Sequence, residues 1–510
     1  MSAQWQNPRG VLERIVIEGT LKLETPANFS NGDAEGLTDI AVLRDPLKGM
    51  PLLSGASIAG ALRSYLREHE KGYEWREDRE AKNKSLAEVL FGHLDDSNQD
   101  AKASVLSWLM VDDALGRAPG FELRDEVAID TKTRTAARGK KFDAELLQAG
   151  TEFDLRCELL LTEKNGSLLN ALLVALTGFE NGEIRLGRRK KRGYGQCQVE
   201  SWNVRRHDLR KAKGLIAWLV DDQSGVQHVK RLADWQPISL KDTRAQMTLS
   251  AIFRLDGSLL IRSGSGTGNA PDMVHLHSRR DGGDVPILSG TSAAGAIRAR
   301  AYRIANTLTR NEAKVKALID CMFGPKIEKH TDQPRGSRVT VHETKIVNPP
   351  PPEKSLVQSR VKIDRFTGGA YPQALFSEQP VFANNETRVE IKLSLRKPVA
   401  RDGASTEEIE KQERAFQAQV GLLLLVLKDL WTGDLPLGGE SSVGRGRLQG
   451  ERATVTCGGK AWTLIEKEVV SEKVGTQQKE AVIEITGTGT RDDLESYVTA
   501  FKTWAEQEGR

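Results

Sequence analysis

The segment PLLSGASIAGALR, beginning at Pro51, returns as PILSGTSAAGAIR from Pro286. The shared pattern P-x-L-S-G-x-S-x-A-G-A-[L/I]-R fixes too many positions to recur by chance. The chain therefore carries a duplicated unit, and whatever fold it adopts must be adopted twice. Three more features recur in the same order. An alternating segment precedes each motif, RIVIEGTLKLET from Arg14 and QMTLSAIFRLDG from Gln246, and period-two alternation marks a half-buried strand. Ile-Asp pairs follow, in VAIDTKTRTA from Val127 and VKIDRFTGGA from Val361. Last come two L-G-x5-G-x-G loops, LGRRKKRGYG from Leu186 and LGGESSVGRG from Leu437. The loops lie farther apart than the Ile-Asp pairs do, so one copy has taken an insertion between them, as surface loops tolerate.

A length of 510 residues is too great for one ordinary core and suits two domains. Each copy reads strand, loop, helix, middle stretch, strand, apolar helix, glycine loop, strand. That order predicts an α+β chain of two tandem ferredoxin-like, RRM-like domains with helices on one face of each sheet. The predicted boundaries are 1–205 and 243–460 for the domains, 206–242 for a linker and 461–510 for a C-terminal appendage. PPPP at 349–352 reads as a stiff surface loop. Lys and Arg total 74 against 70 Asp and Glu, so any polyanion must be met by local clusters. The four cysteines are scattered without a CxxC pair, which indicates neither a disulfide framework nor a zinc site and suits a reducing cytoplasm. MSAQWQNPRG has no apolar core, and no apolar run is long enough to span a membrane, so a soluble cytoplasmic protein is expected.

In the serine–glycine motif, Ser54 or Ser57 and Ser289 or Ser292 can cap a helix whose small residues let a phosphate approach free backbone N–H groups. Arg63 and Arg298 follow one to two turns on, with guanidinium forks suited to phosphate. The same small residues also permit tight helix-on-sheet packing. Five consecutive cations, Arg188, Arg189, Lys190, Lys191 and Arg192, stand between Gly187 and Gly193 with Tyr194 beside them. Cations would neutralise phosphates, glycines would let backbone approach, and the aromatic ring could stack on a base. The second loop keeps Gly438 and Gly444 with only Arg445 and Arg447, so loop shape is the shared feature and charge an addition. Asp39 and Asp272 each lie in the loop between first strand and motif, where a carboxylate could orient or deprotonate a 2′-hydroxyl or hold a divalent metal. A loop Asp also commonly serves its own backbone. DGGDV from Asp281 and the alternating His275 and His277 are set aside as a loop and an incomplete ligand set.

In combination these features resemble the RAMP superfamily of CRISPR-associated proteins, and above all the type III backbone subunit that polymerises along a guide RNA. The matching segments are GLTDIAVLRDP, PLLSGASIAGALR, AIDTKTRTA and GRRKKRGYG in one half, and PILSGTSAAGAIR, KIDRFTGGA and GGESSVGRG in the other. Two fused copies resemble the double backbone subunit of type III-D systems. The resemblance implies guide-RNA binding, a thumb hairpin in each domain that splays the guide–target duplex, and cleavage of target RNA beside the splayed base. Asp39 and Asp272 would be the catalytic residues and would meet a divalent metal, Mg²⁺. In-line attack by the 2′-hydroxyl would leave a cyclic phosphate. Guide RNA, target RNA and other effector subunits are the implied partners, and thumbs are expected near 105–127 and 335–360. The sequence departs from the family pattern at Ala59 and Ala294, where the family has Lys, and at Thr131, where it has Arg; HSRRDGGD replaces R-D-P in the second copy. A guide-coating scaffold without catalysis is the alternative. A guide-processing endonuclease fits less well, because those enzymes lack a second serine–glycine motif.

Overall fold

The computed structural model describes residues 10–30, 40–77, 84–93, 105–130, 133, 135–263, 271–326, 334–351, 355–473 and 476–507. The chain divides into two compact units. The first comprises Met1–Leu123, Ala144–Lys190 and Tyr194–Arg244, and the second Arg124–Asp143, Lys191–Gly193 and Ala245–Arg510.

In the first half of the chain the main elements are β1 (Glu13–Leu23), α1 (Gly55–Lys71), α2 (Leu86–Phe91), β2 (Phe121–Ile129), β3 (Ala136–Leu147), β4 (Glu152–Leu161), α3 (Ser167–Glu180) and β5 (Cys197–Asp208). β1 lies between β4 and β5, antiparallel to both. Its alternating residues Ile15, Ile17, Leu21 and Leu23 are buried on the core face, as period two requires, and Val16 is buried on the other. The apolar run Leu168–Leu176 belongs to α3, which is buried almost all round and fills the core with Leu62, Leu66, Phe153 and Trp202.

The second half repeats this plan with β6 (Gln246–Asp256), β7 (Met273–His275), β8 (His277–Arg280), β9 (Gly283–Leu288), α4 (Gly290–Thr309), α5 (Glu312–Phe323), β10 (Gln358–Ile363), β11 (Ala370–Gln379), β12 (Arg388–Arg396), α6 (Thr406–Trp431) and β13 (Arg447–Cys457). β6 takes the central place between β12 and β13. The run Val420–Leu427 lies on α6, against Ile297, Leu393 and Val455.

Residues 206–242 are more than a connection. They form helix Ala212–Leu219 and strand Gln227–Val229, the latter paired with Trp202–Val204 of β5, and Leu232 is wholly buried in the first core. Residues 461–510 are likewise integrated into the second unit. β14 (Lys460–Lys473) and β15 (Thr476–Gly487) extend its sheet beyond β13. α7 (Arg491–Glu506) packs on α6, where Gly421 lets the Tyr497 carbonyl approach, and Trp462 and Phe501 are wholly buried.

The Ile-Asp pairs lie at hairpin tips. β2 with β3, and β10 with β11, form the two hairpins, so these begin only near the ends of the 105–127 and 335–360 windows expected from sequence and run on past them. At each tip the aspartate closes the turn on its own backbone. Asp130 accepts from the Thr133 amide at 2.8 Å, and Asp364 from the Phe366 amide at 3.0 Å. Ile363 and Phe366 at the second tip stay exposed, Phe366 almost fully.

Candidate nucleic-acid interface

The serine–glycine motif starts a helix in both copies. Ser54 caps α1 by accepting from the Ser57 amide at 3.3 Å, and Ser289 caps α4 by accepting from the Thr291 amide at 3.2 Å. Ser57 is exposed at the first turn, Ser292 is half-buried, and Ser289 is buried. Farther along, Gly60 and Gly295 occupy the same place in the repeat, both on an exposed face, and a Cβ built at either meets nothing within 4 Å. Among the described residues no packing explains these two glycines, although each weakens its helix by about 1 kcal/mol relative to alanine. A bare helix face of that kind admits close approach by another backbone.

The motif arginines point to a different use. Arg63 donates to the Gly92 carbonyl at 2.9 Å, just past α2, and pairs with Glu77 at 2.8 Å. Arg298 does the same in the second copy, donating to the Gly324 carbonyl at 2.7 Å beyond α5 and pairing with Asp320 at 2.8 Å. Both guanidiniums clamp the C-terminus of the following helix, satisfying a carbonyl that the helix leaves open. The phosphate contact expected of them gives way to this clamp.

The glycine loops share one backbone construction. In the first, Leu186 donates to the Gly195 carbonyl at 2.9 Å, and Gly195 donates to the Pro26 carbonyl. In the second, Leu437 donates to the Gly446 carbonyl at 2.9 Å, and Gly446 to the Ser258 carbonyl. Gly195 and Gly446 have φ of +68° and +76°, and a Cβ at either would come 1.8 Å from a leucine carbonyl oxygen. Only glycine closes this loop. The spacing L-G-x5-G-x-G is thus a folding constraint. Within the first loop, Gly187, Arg188, Lys190 and Arg192 are exposed, and a single 3-10 turn spans Lys190–Arg192. Tyr194 is buried against Ala144 and Leu146, so its ring is packed away from any base. Gly193 is buried as well.

The second loop differs in charge. Arg445 is 4% exposed and spent on carboxylates: Nη2 lies 3.0 Å from Glu378, and Nε 3.1 Å from Glu440. Packing thus removes Arg445 from the expected phosphate contacts, while Gly438, Gly444 and Arg447 remain exposed.

Asp272 is exposed at the start of β7. Its carboxylate accepts from the Ser377 amide at 2.7 Å and the Ser377 hydroxyl at 3.0 Å, while its own amide donates to that hydroxyl. These bonds from Ser377 hold the Asp272 carboxyl below its ordinary range, so it is ionised at neutral pH. Such a group is a weak base and a good ligand for a cation. Among the described residues no three His, Cys, Asp or Glu side chains converge as a metal site. Asp39 lies outside the described residues.

His275 is a structural residue. It is buried, accepts at Nδ1 from the Ile261 amide at 3.2 Å and lies 2.9 Å from the Ile287 carbonyl through Nε2. Burial depresses its pKa to about 4. Asp281 and Gly282 form a two-residue hairpin turn between β8 and β9, both with positive φ. Sequence reading missed Ser377, Glu378, Gly60 and Gly295 as site residues. The glycines were visible in both motif copies, whereas Ser377 and Glu378 sit in a strand with no local signature.

No helix among the described residues is long and apolar enough to cross a membrane. No curated protein matches the chain. The RAMP superfamily model matches residues 20–198 and 253–449, one segment for each copy of the repeat. With most of its length matched in two segments, the chain belongs to the RAMP superfamily.

Proposed function

We propose that this protein is an RNA-binding subunit of a type III CRISPR effector complex that holds guide RNA and cuts the complementary target. The carrying observation is the bare exposed face at Gly60 and Gly295, repeated on both capped helices, where none of the described residues packs. The exposed cations of the first glycine loop supply charge for phosphates, and an RNA backbone fits both features. The strand order, with β1 and β6 central in their sheets, supports a ferredoxin-like reading of each copy.

For cleavage, Asp39 and Asp272 are the proposed catalytic residues. An ionised Asp272 would accept or orient the attacking 2′-hydroxyl's proton as that oxygen forms its bond to phosphorus and the 5′-oxygen leaves. Among the described residues no cluster of carboxylates joins Asp272, which fits Mg²⁺ only where RNA oxygens and water complete its shell. A bound Mg²⁺ would supply charge neutralisation at the phosphate. The three bonds joining Asp272 and Ser377 also suit a purely structural loop anchor, the observation that favours a scaffold.

The test is cleavage mapping of a labelled guide-complementary RNA with Mg²⁺ and the assembled complex. Wild type is compared with Asp39→Asn, Asp272→Asn and the double variant, each shown first to bind target. Loss of one distinct cut per single change and of both cuts in the double is expected. Identical cutting by all four makes the chain a scaffold.

A further inference from the structure

The two copies solve one packing problem in opposite ways. Ile40 bridges Ala144 in parallel register, and Met273 pairs with Glu378 in the same register, so Ala144 and Glu378 are equivalent positions. Alignment of the glycine loops makes Tyr194 and Arg445 equivalent too. The first copy therefore places an apolar pair, Ala144 and Tyr194, where the second places a buried ion pair, Glu378 and Arg445.

The ion pair belongs to a net. Glu378, with no exposed surface, also meets Arg360 at 3.1 Å, and Arg360 reaches Glu440 at 2.9 Å. Arg445 donates further to Gln358 at 2.8 Å, and Arg262 approaches Glu440 at 3.2 Å. The net ties β10 and β11 to the glycine loop. It is imperfect: among the described residues Nη1 of Arg445 is buried without a hydrogen-bond partner, and burial, with the Glu440 carboxyl against it, holds the Glu378 carboxyl above its ordinary range. Buried charges with unmet valences are a poor way to gain stability, and the first copy shows that an apolar pair fits. What the net does provide is geometry. Ser377, which holds the Asp272 carboxylate, is the residue next to Glu378 on β11.

We propose that Glu378 and Arg445 are positioning residues that fix Ser377, and through it the Asp272 carboxylate, by locking β11 to the second glycine loop. The second loop is thereby an internal strut, while its counterpart keeps exposed cations. The carboxylates of Glu378 and Glu440 would repel a phosphate brought to Arg445. For its catalytic consequence the proposal rests on the reading of Asp272 given above; the locking of Ser377 does not.

The experiment uses the full chain in the assembled complex, with Glu378→Ala, Arg445→Tyr and the double variant that transplants the first copy's pair. Three readouts are taken: the single-turnover rate of the Asp272-dependent cut, the Kd for guide RNA, and amide exchange at the peptide containing Ser377. Each single variant should slow that cut about tenfold or more, as small misplacements of a reacting group do. Exchange at Ser377 should quicken, Kd should stay within about twofold given buried side chains that touch no phosphate, and the double variant should recover both rate and protection. A weaker Kd with an unchanged rate per bound RNA would make Arg445 an RNA contact and overturn the proposal. So would single variants with wild-type protection at Ser377, or a double variant no better than the worse single. If Asp272→Asn itself cuts normally, the cleavage reading falls, and the exchange data alone uphold or overturn the lock.

Discussion

Arg63 and Arg298 hold the same place in the repeat and make the same bonds, each to a carbonyl just past a helix and to one carboxylate. Removing either side chain leaves that carbonyl and carboxylate without their charged partner. Arg63→Ala and Arg298→Ala should each cost about 1–3 kcal/mol, seen as a lower urea midpoint, with guide-RNA affinity unchanged. A loss of affinity without a loss of stability would return both residues to the RNA surface. His275 carries a second residue-scale expectation. Its folded pKa of about 4 lies below the ordinary 6.5, because burial disfavours the charged ring, and the neighbouring His277 ring acts in the same direction. The unfolded chain therefore binds more protons between those values, and stability from this residue, full above about pH 6.5, is lost as pH falls toward 4. Unfolding midpoints of wild type and His275→Gln, measured across that range, should show a shallower acid decline in the variant. The arginines were legible as a repeated position, but their targets were not. A phosphate and a helix carbonyl ask for the same fork, and sequence does not say which one stands nearby.

At the scale of elements, most of what repeats was legible. The alternating strands, the capped helices and the glycine loops all form where the sequence places them, because periodicity, capping and positive φ are local constraints. The hairpins were displaced toward the C-terminus, since an Ile-Asp pair reads equally well as a strand end or as an Asx-closed tip. The linker was misread for a related reason. Gln227–Val229 is too short to alternate, and only pairing with β5 makes it a strand. The clearest test at this scale opposes stability to function. Gly60→Ala and Gly295→Ala should each raise stability by about 0.5–1 kcal/mol, since both positions are helical, exposed and unpacked. If an RNA backbone lies on that face, the same methyl groups will weaken guide binding. Variants that gain stability and bind RNA as tightly as wild type would take the bare face out of the interface.

The whole molecule is a duplication whose two glycine loops keep one backbone form and differ in charge. Its net charge of +4 says nothing by itself about a polyanion, and the difference lies in how each half spends its cations. The first glycine loop leaves Arg188, Lys190 and Arg192 exposed, whereas the second buries Arg445 among Glu378 and Glu440. Loop shape was readable from glycine spacing. Loop electrostatics was not, because Glu378 comes from a distant strand and meets Arg445 only in the fold. Electrostatic binding should therefore come unequally from the two halves. Each neutralised phosphate on a single strand contributes about 0.7 to the slope of log affinity against log salt concentration. Replacing Arg188, Lys190 and Arg192 together with serine should lower that slope by about 2, measured as guide-RNA affinity of the full chain over a salt series. Arg445→Gln should leave the slope unchanged. Equal losses from both would mean that the second loop releases its arginine to the RNA, and that the buried net opens when the nucleic acid arrives.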